Sequence, residues 1–157
     1  MSVSFIPAGY HTLTPYLVVK GAAAAIEFYK SVFGAIEIMR MAGPNGCVMH
    51  AEIKIGDSQI MLSDEAPERG WRGPLTIGGS SIGLCLYFPD VDARFEAALA
   101  GGAKVEKPLM DQFYGDRSGT IIDPFGHIWT IATHIEDVSP DEMERRCQAE
   151  MKKFAAA

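Results

Sequence analysis

The residues of this chain best equipped for chemistry are four histidines, His11, His50, His127 and His134, together with the close trio Tyr114, Asp116 and Arg117. An imidazole serves as a general base or a metal ligand. A phenol, a carboxylate and a guanidinium side by side can orient an anionic or carbonyl ligand. Spacing limits both readings. His127 and His134 stand an odd number of positions apart, so on an extended strand they point to opposite faces. The trio has a structural alternative, a turn in which Asp116 caps a backbone amide and Arg117 pairs with an acid such as Asp123. His50, Glu52 and Lys54 alternate with Ala51, Ile53 and Ile55, giving one polar strand face that either lines a cavity or meets solvent. Cys85 sits inside a strand-like run with no base beside it in sequence to activate the thiol.

The elements that must position these groups come in two similar sets. Residues 11–19 alternate as a two-faced strand, with Pro15 removing one ladder donor and so placing it near an edge. Gly21 then opens a helix whose Ala22, Ala25, Ile26, Tyr29, Val32 and Phe33 share one side, and Gly34 supplies the left-handed stop. Residues 36–41 and 48–55 read as a hairpin, followed by a turn at 56–58 and a strand over 59–63. The order strand, helix, strand, strand, strand then restarts at Ser81, with Asp90 as helix N-cap and Gly101-Gly102 as its stop. Such a repeat constrains the whole architecture. Between the halves, residues 65–80 are rich in Pro, Gly, Arg and Ser around an isolated Trp71, the composition of a linker or lid. After the last strand, Ser139-Pro140-Asp141-Glu142 forms a capping box opening a helix striped by Met143, Cys147, Met151 and Phe154.

The string 24–35, Ala-Ala-Ile-Glu-Phe-Tyr-Lys-Ser-Val-Phe-Gly-Ala, resembles the helix of vicinal oxygen chelate proteins, the glyoxalase, bleomycin-resistance and extradiol dioxygenase superfamily. The closing turn Asp123-Pro124-Phe125-Gly126-His127 resembles theirs as well. Residues 111–117 and 132–139 extend the likeness to the PhnB-like branch. It covers roughly 10–145 and is specific when taken jointly. The resemblance implies an α+β fold in which two βαβββ modules form a curled mixed sheet or open barrel with outer helices and an inner ligand cavity, followed by a C-terminal helix. The expected division of the single 1–157 domain is module one at about 10–65, linker 66–80, module two at about 81–136 and the terminal helix at about 139–155.

In metal-using members, the resemblance implies, four side chains hold a divalent ion, one from the first and one from the last strand of each module. Here those positions fall on Thr14, Met61, Gly83 and Thr130, which supply neither anionic charge nor imidazole. The expectation is therefore a cavity without a metal or other cofactor, its ligand-binding candidates being Thr14, Tyr16, His50, Met61, Tyr114, Arg117 and Thr130. A rearranged His/Glu metal site is the alternative.

Bulk properties set the outer bounds. With 157 residues at 48% hydrophobic content, the chain can bury one good core or two small modules. A net charge of −6 with no Lys/Arg cluster excludes a nucleic-acid surface. No run is long and apolar enough for a membrane span, and no export signal is visible. Cys47, Cys85 and Cys147 lack CxxC pairing and fit a reducing cytoplasm. The reading is a cytoplasmic homodimer that binds a small organic molecule, with Met39, Met41, Met49 and Met61 available as adaptable lining. An enzyme of the same superfamily, a lyase, isomerase or dioxygenase working with or without metal, is the rival reading.

Overall fold

The computed structural model describes residues 3–155. Strands β1 (Tyr16–Val19), β2 (Ile36–Ala42), β3 (Val48–Ile55) and β4 (Ser58–Asp64) form one four-stranded sheet in the order β1-β4-β3-β2. Strands β5 (Gly83–Tyr87), β6 (Lys104–Asp111), β7 (Asp116–Ile122) and β8 (Ile128–His134) form a second in the order β5-β8-β7-β6. In each sheet only the β1–β4 or β5–β8 pair is parallel, because helix α1 (Ala22–Phe33) or α3 (Val91–Ala100) carries the chain across as a crossover. The fold is α+β, with two mixed sheets that do not close.

The chain divides into two compact units, one comprising 1–82 with the turn 123–127, the other 83–122 with 128–157. In the first unit, alternation sends Leu17, Val19, Ala51, Ile53, Ile55, Ile60 and Leu62 to one face of the sheet, all buried with Ala22, Ile26, Tyr29, Val32 and Phe33 of α1. Gly21 at the start of α1 offers no side-chain cap. Asp64, at the end of β4, does that work from a distance: its Oδ1 accepts from Gly21 N at 2.9 Å and Ala22 N at 2.7 Å, and its Oδ2 from Val48 N at 2.7 Å. The 123–127 turn is fixed by Asp123, whose Oδ1 accepts from Phe125 N and His127 N and whose Oδ2 accepts from the buried Tyr29 hydroxyl at 2.8 Å. Burial first, then Asp123, raises the Tyr29 pKa well above its ordinary value.

Residues 65–80 fold onto the first unit. A short 3₁₀ turn (Pro67–Arg69) and helix α2 (Pro74–Ile77) occupy the segment, and Gly73 and Pro74 are buried. Glu65 ties it down, accepting from Gly73 N at 3.1 Å and Thr76 Oγ1 at 2.6 Å.

In the second unit Ile121, Trp129 and Ile131 are fully buried on the face that also carries Phe95 of α3, as their parity requires. Asp90 caps α3 by accepting from Ala93 N at 3.0 Å. Helix α4 (Pro140–Ala155) is held by Arg146, which pairs with Glu136 at 2.7 Å and donates to Phe113 O at 3.2 Å. Met143 and Cys147 are half-buried and Met151 is exposed, while the Phe154 side chain lies outside the described residues.

Candidate functional site

The sheet face opposite α1 carries the polar groups of the first unit. Register places Tyr16, Met61 and Glu52 in one row across β1, β4 and β3, with His50 two residues before Glu52 on the same face. The Tyr16 hydroxyl stands 3.0 Å from His50 Nδ1, and His50 Nε2 is 3.4 Å from Glu52 Oε1. With the phenol donating to Nδ1, the proton sits on Nε2 and is given to the carboxylate, so three side chains form a relay. Tyr10 backs this face: burial first, then the neighbouring Glu52, pushes its pKa up to about 12. Thr14, half-buried, lies two residues ahead of β1.

Beside the relay is a cavity of about 690 Å³ lined by Tyr16, Cys47, Met49, Ser63, Asp64 and Trp71, among others. Trp71 closes one side, its Nε1 donating to Ser63 Oγ at 3.0 Å and its ring meeting Tyr16 edge-on at 5.5 Å. Two of the lining carboxylates, Asp64 and Glu65, are already bound to backbone amides and Thr76, and Glu68 pairs with Arg69 at 3.8 Å. The methionines Met39, Met41 and Met49, candidates for core or lining, are exposed.

The corresponding face of the second unit carries a different network. Buried Asp116 accepts from the Tyr87 hydroxyl at 2.8 Å and from His134 Nδ1 at 2.7 Å, while His134 Nε2 donates to Asp137 at 3.0 Å. These partners raise the His134 pKa, Asp116 more than Asp137. The Asp116 bond, then burial, pushes Tyr87 up to about 12. Burial, then Asp116, raises Cys85, which keeps that thiol protonated and removes it as a nucleophile. Tyr114 and Thr130 are on this face too, bonded to Ser118 at 3.3 Å and Thr120 at 3.1 Å.

Arg117 is not brought together with Tyr114. Its odd parity in β7 turns it toward α3, where it grips Asp92 at 2.7 and 2.8 Å and Asp111 at 2.9 Å. Neither Asp123 nor a cavity is its partner. His11 is exposed ahead of β1, and His127 donates from Nε2 to Val18 O at 3.2 Å. The Ser63–Trp71 bond and the Asp116 network escaped the sequence reading. The alternation of 116, 118 and 120 against 130, 132 and 134 carried the second of these, whereas the first joins a strand to a loop and leaves no periodic signal.

The family description "Glyoxalase/Bleomycin resistance protein/Dioxygenase superfamily" matches residues 10–131. The chain belongs to this superfamily. A Mycobacterium tuberculosis (strain H37Rv) relative, uncharacterized protein Rv0887c, is 40% identical over 147 residues, covering 92% of this chain and 84% of its own. Among solved structures, the Arabidopsis thaliana At5g48480 gene product superposes with a TM-score of 0.65 at 26% identity, over 78% of this chain and 98% of that one. The PhnB protein of Bacillus cereus has the same fold, with a TM-score of 0.64 at 18% identity, over 78% of this chain and 99% of that one.

Many members of the superfamily use a metal ion. The positions at which the resemblance implies metal ligands are Thr14 and Met61 in the first unit and Gly83 and Thr130 in the second. Met61 lies in the row between Tyr16 and Glu52, and the Thr130 hydroxyl is bonded to that of Thr120. Among the described residues no group of three or more His, Cys, Asp or Glu side chains is arranged to hold an ion.

Proposed function

We propose that this superfamily member holds a small organic molecule in the first unit's 690 Å³ cavity, gripped by aromatic, thioether and hydrogen-bonding contacts without a metal ion. The observation that carries this is the state of the cavity wall. Its volume falls in the range of ligand sites, and its carboxylates are occupied by other partners. Tyr16, Trp71, Cys47 and Met49 therefore remain to meet a ligand. His50 and Met61 extend that surface along the sheet, and Thr14 flanks it. Tyr114 and Thr130 are the second unit's neutral candidates, while Arg117 is committed to Asp92 and Asp111 and drops out.

The test has two arms. Native mass spectrometry of purified protein is expected to show a small organic adduct that Trp71→Ala and Tyr16→Ala variants lose. Calorimetry of dialysed protein with zinc, nickel, manganese and iron(II) is expected to show no stoichiometric binding. A tight one-to-one metal isotherm overturns the reading.

The Tyr16–His50–Glu52 relay favours a second reading, acid–base catalysis in which His50 withdraws the phenolic proton and Glu52 steadies the imidazolium. Consumption of methylglyoxal with glutathione that disappears in a His50→Gln variant supports it. Equal rates with and without protein count against this version. Membership of the PhnB-like branch is also part of the proposal. It draws on the strings at 111–117, 123–127 and 132–139 and assigns no reaction. So is a cytoplasmic homodimer, to which the exposed Ile36, Met39 and Met41 of β2 would contribute. Sedimentation at micromolar concentration distinguishes dimer from monomer.

A further inference from the structure

On the other flank of Tyr16 the first unit contains a smaller recess of about 190 Å³, separate from the proposed ligand cavity and lined in part by Val18, Arg72, Ile77, Ser81, Ile82 and His127. Its walls are set by close backbone packing. A Cβ on Gly73 would stand 2.8 Å from the Val18 carbonyl oxygen, and one on Gly126 would stand 2.8 Å from Pro74 Cβ. The main chain on both sides of Arg72 is pinned. Ala66 N donates to Trp71 O at 2.7 Å, Trp71 N returns a bond to Ala66 O at 3.2 Å, and Gly73 N is held by Glu65.

Against this fixed backbone, the Arg72 guanidinium has neither an acid nor an aromatic face among the described residues. The other arginines are engaged: Arg40 with Glu37, Arg69 with Glu68, Arg117 with Asp92, Arg145 and Arg146 with Glu142, and Arg94 over Phe88. No Asp or Glu lines the recess. His127 adds no charge near neutrality, because burial holds its pKa below the ordinary 6.5 while Nε2 stays bonded to Val18 O.

We propose that this recess is a binding site for the carboxylate of a small aliphatic acid, with Arg72 as the forked donor, Ser81 as the added hydroxyl, and Val18, Ile77 and Ile82 against the carbon chain. A planar fork without a second cation matches a carboxylate, which carries one charge, better than a phosphate dianion. The volume is that of about six waters, enough for the acid group and a few carbons.

Amide-resolved NMR titration with sodium butyrate, its neutral isostere butyramide, and inorganic phosphate tests the site. Butyrate is expected to give saturable shifts at Arg72, Gly73, Ser81, Ile82 and His127, with butyramide and phosphate much weaker. Arg72→Gln should weaken butyrate by about tenfold or more, the loss of one charge-assisted fork. Arg72→Lys should fall between, and Arg145→Gln on α4 should leave the titration unchanged. Absence of saturable shifts, equal response to butyramide, preference for phosphate, or an unaltered isotherm in Arg72→Gln each overturns the proposal. The larger cavity's occupant is read independently by its adduct.

Discussion

At the residue scale, the shared face of His50 and Glu52 was legible because period-two alternation alone puts 50, 52 and 54 on one side of a strand, whereas Tyr16 joins them through the register of β1, β4 and β3. The same rule, applied to Arg117, sends it to the side of Ile121 and away from the face of Asp116 and Thr130, so its pairing with Asp92 was within reach of parity. The Asp123 network was half legible: the Asp-Pro-Phe-Gly turn shows in sequence, but its bond to Tyr29, 94 residues away, does not. That bond gives a ranked prediction. Tyr29→Phe removes one donor and should cost about 1 kcal/mol. Asp123→Ala removes that acceptor together with both turn bonds and should cost about 2–4 kcal/mol. Urea midpoints at constant m-value measure both, and a costlier Tyr29→Phe contradicts the assigned roles.

At the scale of elements, the order strand, helix, strand, strand, strand was readable twice because each helix keeps its apolar stripe and each turn its Gly or Asp. The folding of 65–80 was not, because its anchors are Glu65, Ser63 and a close approach of Gly73 to Val18, all tertiary. The two crossover helices also differ in a way sequence conceals. Asp90 caps α3 locally with one bond, whereas Asp64 caps α1 from β4 and holds β3 as well. Asp90→Ala is therefore expected to cost about 1 kcal/mol. Asp64→Ala should cost about 2–3 kcal/mol, since three backbone donors lose a charged acceptor. Denaturation of the two variants side by side decides the ranking. Helix α4 hangs on Arg146, so Arg146→Ala should raise amide exchange along 140–155 while leaving β7 and β8 protected.

For the whole molecule, the two perturbed histidines act in opposite directions around one pH. The folded pKa of His127 is depressed by burial. Between that value and 6.5 the unfolded chain takes a proton that the native chain resists, so stability is lost as pH falls through this window. The folded pKa of His134 is raised by Asp116 and Asp137. Above 6.5 the native chain keeps a proton that the unfolded chain releases, so stability is lost as pH rises toward the folded value. Both contributions are complete only near 6.5. Further acid adds a second loss: Glu142, held down to about 2 by Arg145 and Arg146, gives up its stabilisation below 4.5, as do Glu37, Glu65 and Glu136, which hydrogen bonds to Arg40, Thr76 and Arg146 lower. These carboxylates are largely at the surface, so salt should blunt that limb. The His134 side chain is 53% exposed, which makes the alkaline limb the shallower of the two histidine effects. Urea midpoints from pH 2 to 9 should therefore peak near 6.5. His134→Gln should flatten the decline above the peak, and His127→Gln should flatten the fall just below it. A wild-type midpoint that keeps climbing from pH 6.5 to 8 contradicts the role given to His134, and one that stays level as pH falls just below 6.5 contradicts that given to His127.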